Sequence, residues 1–256
     1  MPDAFVAPPV FVISLARAAE RRAGMVMHLD NQNIQHEIID AVDGATLDLS
    51  AYKDRLNPKL SQKLHGAPLN TGEIGCYLSH YQLWERIVAE SIPYAVILED
   101  NVRCNEDFMN VVADIVRCPW LWDVVLLHAG FRRVHRVVSP IAEKYRLLQY
   151  KRFWVGTKGY CITLSAARKL INHCRVMLYP VDLAWQDYWK WNGRFYCINP
   201  PVVTISGEDS LIDGIESRRM AIMKNRQFSL ISKLSLKRHE FVRSFYYHFR
   251  RPSMKP

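Results

Sequence analysis

The sequence predicts an α/β fold, because short apolar runs with strand character alternate with segments of helical periodicity. The run PPVFVISL at residues 8–15 predicts a first strand, and the helix-forming segment ARAAERRAGMVMHLD follows it at 16–30. HEIIDAVDG at 36–44 predicts a second strand that ends at an Asp-Gly turn signal. Alternation of this kind predicts a mostly parallel, twisted sheet with helices on both faces.

The later elements continue the alternation. Residues 70–91 give the strongest helix prediction, because apolar side chains recur at helical spacing and Asn70 with Glu73 suits a capping box. A further helix is predicted at 165–174, and residues 45–69 read as irregular or short helical structure. The later strands are predicted in the apolar runs 93–98, 122–130, 156–164 and 195–206.

Length and composition bound the class of protein. The chain has 256 residues, 49% hydrophobic and 23% charged, which suffices for one large globular domain with a small appendage. Its six cysteines include no C-x-x-C pair, which predicts reduced packing cysteines rather than disulfides or a zinc site. No run approaches the roughly 18 to 20 apolar residues that span a bilayer, and no secretion signal is recognised, so we expect a cytoplasmic protein.

The net charge of +9 is concentrated at the C-terminus. Lys and Arg dominate residues 218–256, where Glu240 is the one acid, whereas residues 1–217 are nearly neutral. Helical spacing would bring five apolar side chains close to one face: Leu230, Leu234, Phe241, Phe245 and Phe249. A basic amphipathic helix of this kind binds anionic membrane surfaces, and a helix docked on the main domain is the alternative.

Three oxygen-bearing side chains follow a predicted strand. The run PYAVIL at 93–98 leads directly into Glu99, Asp100 and Asn101. Ligands of open α/β sheets bind at the carboxyl ends of strands, and a hard divalent ion such as Mn²⁺ or Mg²⁺ takes oxygen ligands of this kind. These residues are therefore candidate metal ligands, and a solvated strand-to-loop transition is the alternative.

Basic residues begin the first predicted helix. Arg17 and Arg21 are four residues apart and share a helix face. Guanidinium groups there can bind a diphosphate, which a helix N-terminus also attracts. A solvated helix face with Glu20 as counter-charge is the alternative.

Small residues line one face of the helix at 70–91. Gly72, Gly75 and Ser79 recur at three- and four-residue spacing, and Glu73 and His80 lie near the same line. The spacing permits close approach of a ligand, and it permits equally close helix packing.

The stretch YPVDLAWQDYWKWNG at 179–193 combines aromatic rings with two carboxylates. Rings cover the apolar faces of sugars and carboxylates accept sugar hydroxyls, so the stretch suits sugar binding, with core packing as the alternative. Asp182 is predicted to cap a short helix beginning at Leu183, and Asp187 lies roughly 140° further around it.

Taken in order, these stretches resemble the family 25 glycosyltransferases, which include bacterial lipooligosaccharide and lipopolysaccharide hexosyltransferases and collagen galactosyltransferases. The resemblance rests on VISLARAAERR, IIDAVDG, GEIGCYLSHYQLW, AVILEDN, GTKGYCITLSAARKL and PVD, which together span about residues 10–185. It implies a GT-A-like fold, a UDP-hexose donor, and Mn²⁺ or Mg²⁺ at Glu99, Asp100 and Asn101. The family usually has a second aspartate where this chain has Asn101, which weakens the expected metal affinity because an amide carries no charge.

The resemblance also implies which residues hold the donor. They are the matched positions Ser14, Leu15, Arg17, Arg21, Gly72, Glu73, Gly75, Ser79, His80, Gly156 and Gly159. Asp182, within the matched PVD, is the first candidate for the general base of an inverting transfer, and Asp187 is the second.

The expected function is transfer of a hexose from UDP-sugar to a saccharide acceptor of the lipooligosaccharide or lipopolysaccharide core. Galactose is the favoured hexose and glucose the alternative. Residues 1–217 would form the catalytic domain, and 218–256 a tail that holds the protein on the inner face of the bacterial inner membrane. The alternatives are a nucleic-acid-binding module that uses the tail, and a family member that binds sugar without transferring it; the body of the chain has no nucleic-acid-reading motif.

Overall fold

A computed structural model of the chain describes residues 7–128, 135–150 and 156–206, together with Phe241, Ser244, Phe245 and Tyr247. The strands are β1 (Val10–Ser14), β2 (Glu37–Asp40), β3 (Tyr94–Glu99), β4 (Val102–Cys104), β5 (Val124–Leu126), β6 (His135–Pro140), β7 (Arg146–Tyr150), β8 (Gly159–Thr163), β9 (Phe195–Asn199) and β10 (Val203–Ile205). The helices are α1 (Ala19–Asp30), α2 (Pro58–His65), α3 (Thr71–Ala89), α4 (Phe108–Val116), α5 (Leu164–His173) and α6 (Val181–Ala184), with a 3-10 turn at Leu49–Tyr52.

Eight strands form one sheet in the order β2-β1-β3-β8-β5-β9-β7-β6, and β4 pairs with β10 in a separate antiparallel ribbon. β1 runs parallel to β2 and β3, and β5 runs parallel to β9, whereas β7 and β8 run against the other six. The fold is therefore α/β with a large, mostly parallel central sheet, which confirms the predicted class.

Helices cover both faces of the sheet. The alternate side chains of β1 show this division, because Phe11 and Ile13 pack with α3, α5 and α6, while Val10 and Val12 pack with α1 and α4. Every residue of β1 and of β8 is buried, as expected for strands that are covered on both sides. All six cysteines are free.

The sequence interpretation missed four elements, one of which is the three-residue strand β4 directly after Asn101. Helix α4 and the β6–β7 hairpin were not predicted, because α4 is only nine residues long and almost uniformly apolar, and β6 exposes a mixture of charged and apolar side chains. Residues 45–69 do contain short helical structure, and α2 is capped by the side chain of Asn57 and followed by Gly66 at φ 98°.

Within the described ranges, no helix has the length and apolar character needed to cross a membrane. Nearly all of the predicted basic tail, 218–256, lies outside these ranges. Four of its residues are helical, and Tyr247 packs against Arg136 of β6, whose guanidinium carbon lies 5.0 Å from the tyrosine ring centroid.

Candidate functional site

A pocket of about 400 Å³ opens at the edge of the sheet where β2, β1 and β3 end. Ten of the residues predicted to bind donor or metal line it: Ser14, Leu15, Arg17, Arg21, Gly72, Ser79, His80, Glu99, Asp100 and Asn101. The topology brings them together because β1 lies between β2 and β3 in parallel, so their carboxyl ends meet at one edge.

Asp100 is held from two sides. Ser14 Oγ, at the end of β1, donates a hydrogen bond to Asp100 Oδ2 at 2.8 Å. The guanidinium of Arg21, one turn into α1, binds Asp100 Oδ1. Asp100 is only 4% exposed, so Arg21 provides the counter-charge that a buried carboxylate requires.

Two further arginines, one before α1 and one within it, pair with acids in β2 and in the loop after it. Arg17 Nε lies 2.6 Å from Asp43 Oδ2, and the Arg17 side chain is 55% exposed. Arg22 donates to the carbonyl oxygen of Ser14 at 2.9 Å and to Asp40 Oδ1 at 2.6 Å. Of these two, Arg17 lines the pocket, where its exposed guanidinium is accessible to an anionic ligand.

Glu99 is paired with a lysine that the sequence interpretation did not identify. Lys158 Nζ lies 2.9 Å from Glu99 Oε2, and Thr157 Oγ1 donates to Glu99 Oε1 at 2.6 Å. Burial alone would raise the pKa of Glu99, but the charge of Lys158 and the hydrogen bonds from Thr157 and Lys158 outweigh it and lower the pKa to about 2. Glu99 is therefore ionised at neutral pH.

Asn101 presents an acceptor without a partner. It is 2% exposed, and no described residue donates a hydrogen bond to its Oδ1. Its backbone oxygen is satisfied, because Ser206 donates to it from N at 2.9 Å and from Oγ at 3.0 Å. A buried acceptor that faces a pocket in this way is suited to a donor group or a cation of a bound ligand.

The predicted divalent ion fits this edge. Carboxylate and amide oxygens are the ligands that Mn²⁺ and Mg²⁺ take, and Asn101 Oδ1, next to Asp100 in sequence, has no hydrogen-bond partner in the described part of the chain. Arg21 and Lys158 already offset the charges of Asp100 and Glu99, so an ion here would share these carboxylates with fixed cations.

A second group of potential ligand atoms lies in the pocket. Atoms of Cys76, His80 and Glu99 lie within 4.8 Å of one another. Burial, together with the charges of Glu99 and Asp182, raises the pKa of the Cys76 thiol far above its usual value, so the thiol keeps its proton. Mn²⁺ and Mg²⁺ prefer oxygen ligands to sulfur, and this group is therefore less suited to them than the oxygens of Asp100 and Asn101.

His80 has a structural hydrogen bond. Its Nδ1 lies 2.9 Å from the hydroxyl of Tyr160, which also accepts a hydrogen bond from Trp84 Nε1 at 3.0 Å. Burial lowers the pKa of His80 to about 4, although Glu99 acts in the opposite direction. His80 is therefore neutral at pH 7 and connects the pocket to the aromatic core.

Two of the predicted donor-binding residues in α3 have structural roles and do not line the pocket. Glu73 completes the predicted capping box, since its Oε2 accepts from Asn70 N at 2.9 Å while Asn70 Oδ1 accepts from Glu73 N at 2.7 Å. A Cβ on Gly75 would lie 2.6 Å from the carbonyl oxygen of Val42 and 2.8 Å from Gly44 N. Gly75 thus permits close packing of α3 against the loop after β2.

Gly156 and Gly159 also lie outside the pocket lining. Gly159 pairs with Leu98 in the β3–β8 ladder. Gly156 has a φ of 124°, a conformation that favours glycine, and it lies beside His128.

Neither of the two candidate bases lines the pocket. Asp182 is 4% exposed and near enough to Cys76 to raise the pKa of its thiol. It does not cap a helix beginning at Leu183, because α6 begins at Val181 after Pro180 and has no side-chain cap. Asp187 is 12% exposed at its side chain and bound by Lys190 at 2.5 Å.

The aromatic residues around Asp182 and Asp187 belong mainly to the core. Trp185 and Tyr188 are fully buried, and Trp185 packs edge-on against Tyr160 with ring centroids 4.6 Å apart. These rings therefore fit the core-packing interpretation of this stretch better than the sugar-binding interpretation.

His128 is a polar residue that the site prediction left out, although its place after an apolar run was a usable signal. It lies two residues beyond β5, its Nδ1 is 3.2 Å from the carbonyl oxygen of Gly159, and its Nε2 is buried without a hydrogen-bond partner among the described residues. Lys158 lies within the matched stretch GTKGYCITLSAARKL, but its partner Glu99 is 59 residues away in sequence.

Several known proteins are similar to this chain in sequence. Residues 7–185 match the sequence model of glycosyltransferase family 25, described as LPS biosynthesis protein. The chain is 36% identical over 169 residues to the probable inactive glycosyltransferase 25 family member 3 of Rattus norvegicus, an alignment covering 63% of this chain and 29% of the relative. It is 33% identical over 171 residues to procollagen galactosyltransferase 1 of Danio rerio, covering 64% of this chain and 28% of the relative.

The chain spans less than a third of the length of these two relatives. Among solved structures, A197 from STIV has a TM-score of 0.41 at 12% identity, covering 77% of this chain and 83% of that chain. This likeness is too weak to identify the fold by itself. The family match extends over most of the chain and includes every strand and helix that forms the pocket. The chain therefore belongs to glycosyltransferase family 25.

Proposed function

We propose that the chain is a hexosyltransferase of class EC 2.4 that moves a hexose from a UDP-sugar to a saccharide acceptor of the lipooligosaccharide or lipopolysaccharide core. The family description supports this acceptor class, and the galactosyltransferase name of the Danio rerio relative favours galactose over glucose. UDP-hexose is the proposed donor substrate.

The observation that carries the proposal is the pairing of cations and acceptors in the pocket. Arg17 and Arg21 lie on either side of Ala19, where α1 begins, and both side chains line the pocket. Two guanidinium groups in one pocket can bind a diphosphate through charge and through bidentate hydrogen bonds. Asn101, two residues after the end of β3, lines the same space, and its Oδ1 has no hydrogen-bond partner among the described residues.

The reaction that we propose is a single displacement with inversion. The acceptor hydroxyl oxygen attacks the anomeric carbon, the bond from that carbon to the diphosphate oxygen breaks, and its electron pair leaves with UDP. Arg17 and Arg21 offset the negative charge that grows on the diphosphate. Mn²⁺ or Mg²⁺, held by Asp100 and Asn101 with Glu99 as a third candidate, would supply further charge neutralisation when bound.

Asp182 is the proposed general base that takes the proton of the acceptor hydroxyl, and Asp187 is the second candidate. Asp182 is favoured because it lies near the pocket residue Cys76, whereas Lys190 binds Asp187. Asp182→Asn should reduce turnover by about 100-fold or more while UDP-sugar binding is retained. Turnover close to that of the wild type would rule Asp182 out.

A UDP-sugar hydrolysis screen tests class, donor and metal together. UDP-galactose and UDP-glucose are incubated with and without Mn²⁺, using the wild type and Asn101→Asp. We expect release of UDP from a hexose donor, and greater stimulation by Mn²⁺ in Asn101→Asp because a second carboxylate adds charge to the site. Arg86→Ala is a matched control, since Arg86 pairs with Glu37 and Glu90 away from the pocket.

A non-catalytic, sugar-binding role is the second candidate. Asn101 replaces the expected acid, and the Rattus norvegicus relative is named as probably inactive. Binding of UDP-sugars without hydrolysis or transfer, in either protein and with either donor, would favour this role. Absence of binding would refute both.

We also propose that residues 1–217 are the catalytic domain and that 218–256 hold it on the anionic inner face of the bacterial inner membrane. Phe241 and Phe245, four residues apart, are 71% and 54% exposed. Replacing both by Ser in the full chain should weaken binding to anionic liposomes and leave hydrolysis unchanged. A strongly salt-dependent affinity for DNA without donor hydrolysis would instead favour the nucleic-acid-binding alternative.

A further inference from the structure

The edge of the sheet continues beyond the pocket. β8 follows β3 in the sheet and β5 follows β8, and β8 begins at this edge because it is antiparallel to both. His128, two residues past the end of β5, therefore lies on the same edge as Glu99. The two strands that carry these residues are two strand spacings apart, roughly 10 Å.

His128 is fixed in one orientation. Its Nδ1 lies 3.2 Å from the carbonyl oxygen of Gly159, so Nδ1 carries the hydrogen and donates. Burial lowers the pKa of His128, with Lys158 acting in the same direction and Glu99 opposing it, and the ring is neutral at pH 7. Nε2 is then a hydrogen-bond acceptor, and it has no partner among the described residues.

The surroundings of this acceptor are polar but already paired. Lys158 and Thr157 both bind Glu99. Gly156 has no side chain to cover the ring, since an added Cβ would lie 3.5 Å from His128 Nε2. An acceptor without a partner among the described residues can accept a hydrogen bond from a ligand.

We propose that His128 Nε2 accepts a hydrogen bond from a hydroxyl group of the hexose of the donor. This inference rests on the proposed function, in which Arg17 and Arg21 hold the diphosphate near β1. The hexose then extends along the sheet edge, past Glu99 toward β5. His128 is a sugar-binding residue that determines affinity for the hexose and leaves affinity for the nucleotide unchanged.

The test compares two ligands that differ only by the sugar. Calorimetric titrations of UDP and of UDP-galactose are made with the wild type, with His128→Phe, which keeps a ring but removes the acceptor, and with His128→Gln, which restores an acceptor oxygen. His36→Gln is the matched control, because His36 precedes β2 at the opposite edge of the sheet. UDP-glucose is titrated in parallel to compare hexoses.

His128→Phe should bind UDP-galactose about 3- to 10-fold more weakly and bind UDP as the wild type does. His128→Gln should recover part of the loss, and His36→Gln should change neither affinity. In the wild type, the imidazole nitrogen resonance of His128 Nε2 should shift on adding UDP-galactose and not on adding UDP, which tests the contact even if a variant fails to fold.

The titrations distinguish failure of the His128 inference from failure of the proposed donor site. If UDP binds and His128→Phe leaves the UDP-galactose affinity unchanged, or weakens both ligands equally, the inference is refuted and the donor site stands. If UDP does not bind the wild type, the proposed donor site is refuted, and the inference falls with it.

Discussion

Buried carboxylates lie at both edges of the central sheet, and they are satisfied differently. At the edge where β5 and β9 begin, Asp123 is fully buried, and Lys169, Arg194 and the backbone N–H of Arg194 bind its two oxygens at 2.8 to 3.0 Å. At the opposite edge, Glu99 and Asp100 bind Lys158 and Arg21, but the neighbouring acceptor Asn101 Oδ1 has no partner among the described residues.

The difference separates a structural cluster from a ligand site. Charge alone does not distinguish the two edges, because carboxylates are paired with cations at each of them. Asp123 joins β5, α5 and the residue before β9 and lies outside the pocket, whereas Glu99, Asp100 and Asn101 line a pocket of about 400 Å³. A ligand that enters the pocket can supply the hydrogen-bond donors and charges that the residues at this edge lack.

Removing the structural carboxylate should have the largest effect on stability. Asp123→Ala leaves Lys169 and Arg194 without their partner, and we expect the free energy of unfolding to fall by about 3 to 5 kcal/mol, measured by urea denaturation. A loss below about 1 kcal/mol would contradict the structural role of this cluster.

Acid titration sharpens the same prediction. Burial alone would raise the pKa of Asp123, but the hydrogen bonds and charges of Arg194 and Lys169 outweigh it and lower the pKa. Its stabilising contribution is therefore present above the unfolded pKa of about 4 and is lost as the pH falls below that value. The variant should show a smaller loss of stability than the wild type over this acid range.

Removing a cation from the ligand edge, the edge of the sheet that carries Glu99, Asp100 and Asn101, should weaken the binding of UDP. Arg21→Gln keeps a hydrogen-bond donor near Asp100 but loses the charge, and we expect UDP affinity to fall about 10- to 100-fold in calorimetric titrations. Arg194→Gln is the matched control at the other edge and should destabilise the fold without changing UDP affinity. Equal effects of the two variants on UDP affinity would break the distinction between the edges.

A smaller effect is expected from the packing that shapes the pocket. Gly75→Ala would force α3 away from Val42 and Gly44 at the pocket wall, and we expect a loss of about 1 to 3 kcal/mol of stability together with weaker UDP binding. Gly24→Ala in α1 is the control, since its new Cβ would lie 4.0 Å from the nearest atom and should stabilise the helix by about 0.5 to 1 kcal/mol. Thermal unfolding measures both, and equal stability in the two variants would refute the role of Gly75.

The sequence predicts the ligand edge better than it predicts the contacts there. An apolar run ending in Glu99, Asp100 and Asn101 specifies a buried strand with polar residues at its end, and the capping box of Glu73 is a local signal. The ion pair of Glu99 with Lys158 depends on β8 lying beside β3, which no sequence spacing records. An ion pair between residues so far apart in sequence can be identified only when the fold is known.

The same limit explains the weaker predictions. Asp182 and Asp187 fall in one aromatic stretch, yet the rings pack in the core and Lys190 binds Asp187. Gly75 matched a ligand-binding stripe as well as a packing stripe, and only its position against Val42 distinguishes the two.

Hydrogen exchange of the full chain with and without UDP tests the central claim most directly, because it compares the two edges in one measurement. We predict slower exchange in the presence of UDP for peptides covering 14–22, 70–80 and 99–101, and unchanged exchange for peptides covering 121–126 and 192–197. Protection at the Asp123 edge, or binding of UDP without protection at the ends of β1 and β3, would contradict the account.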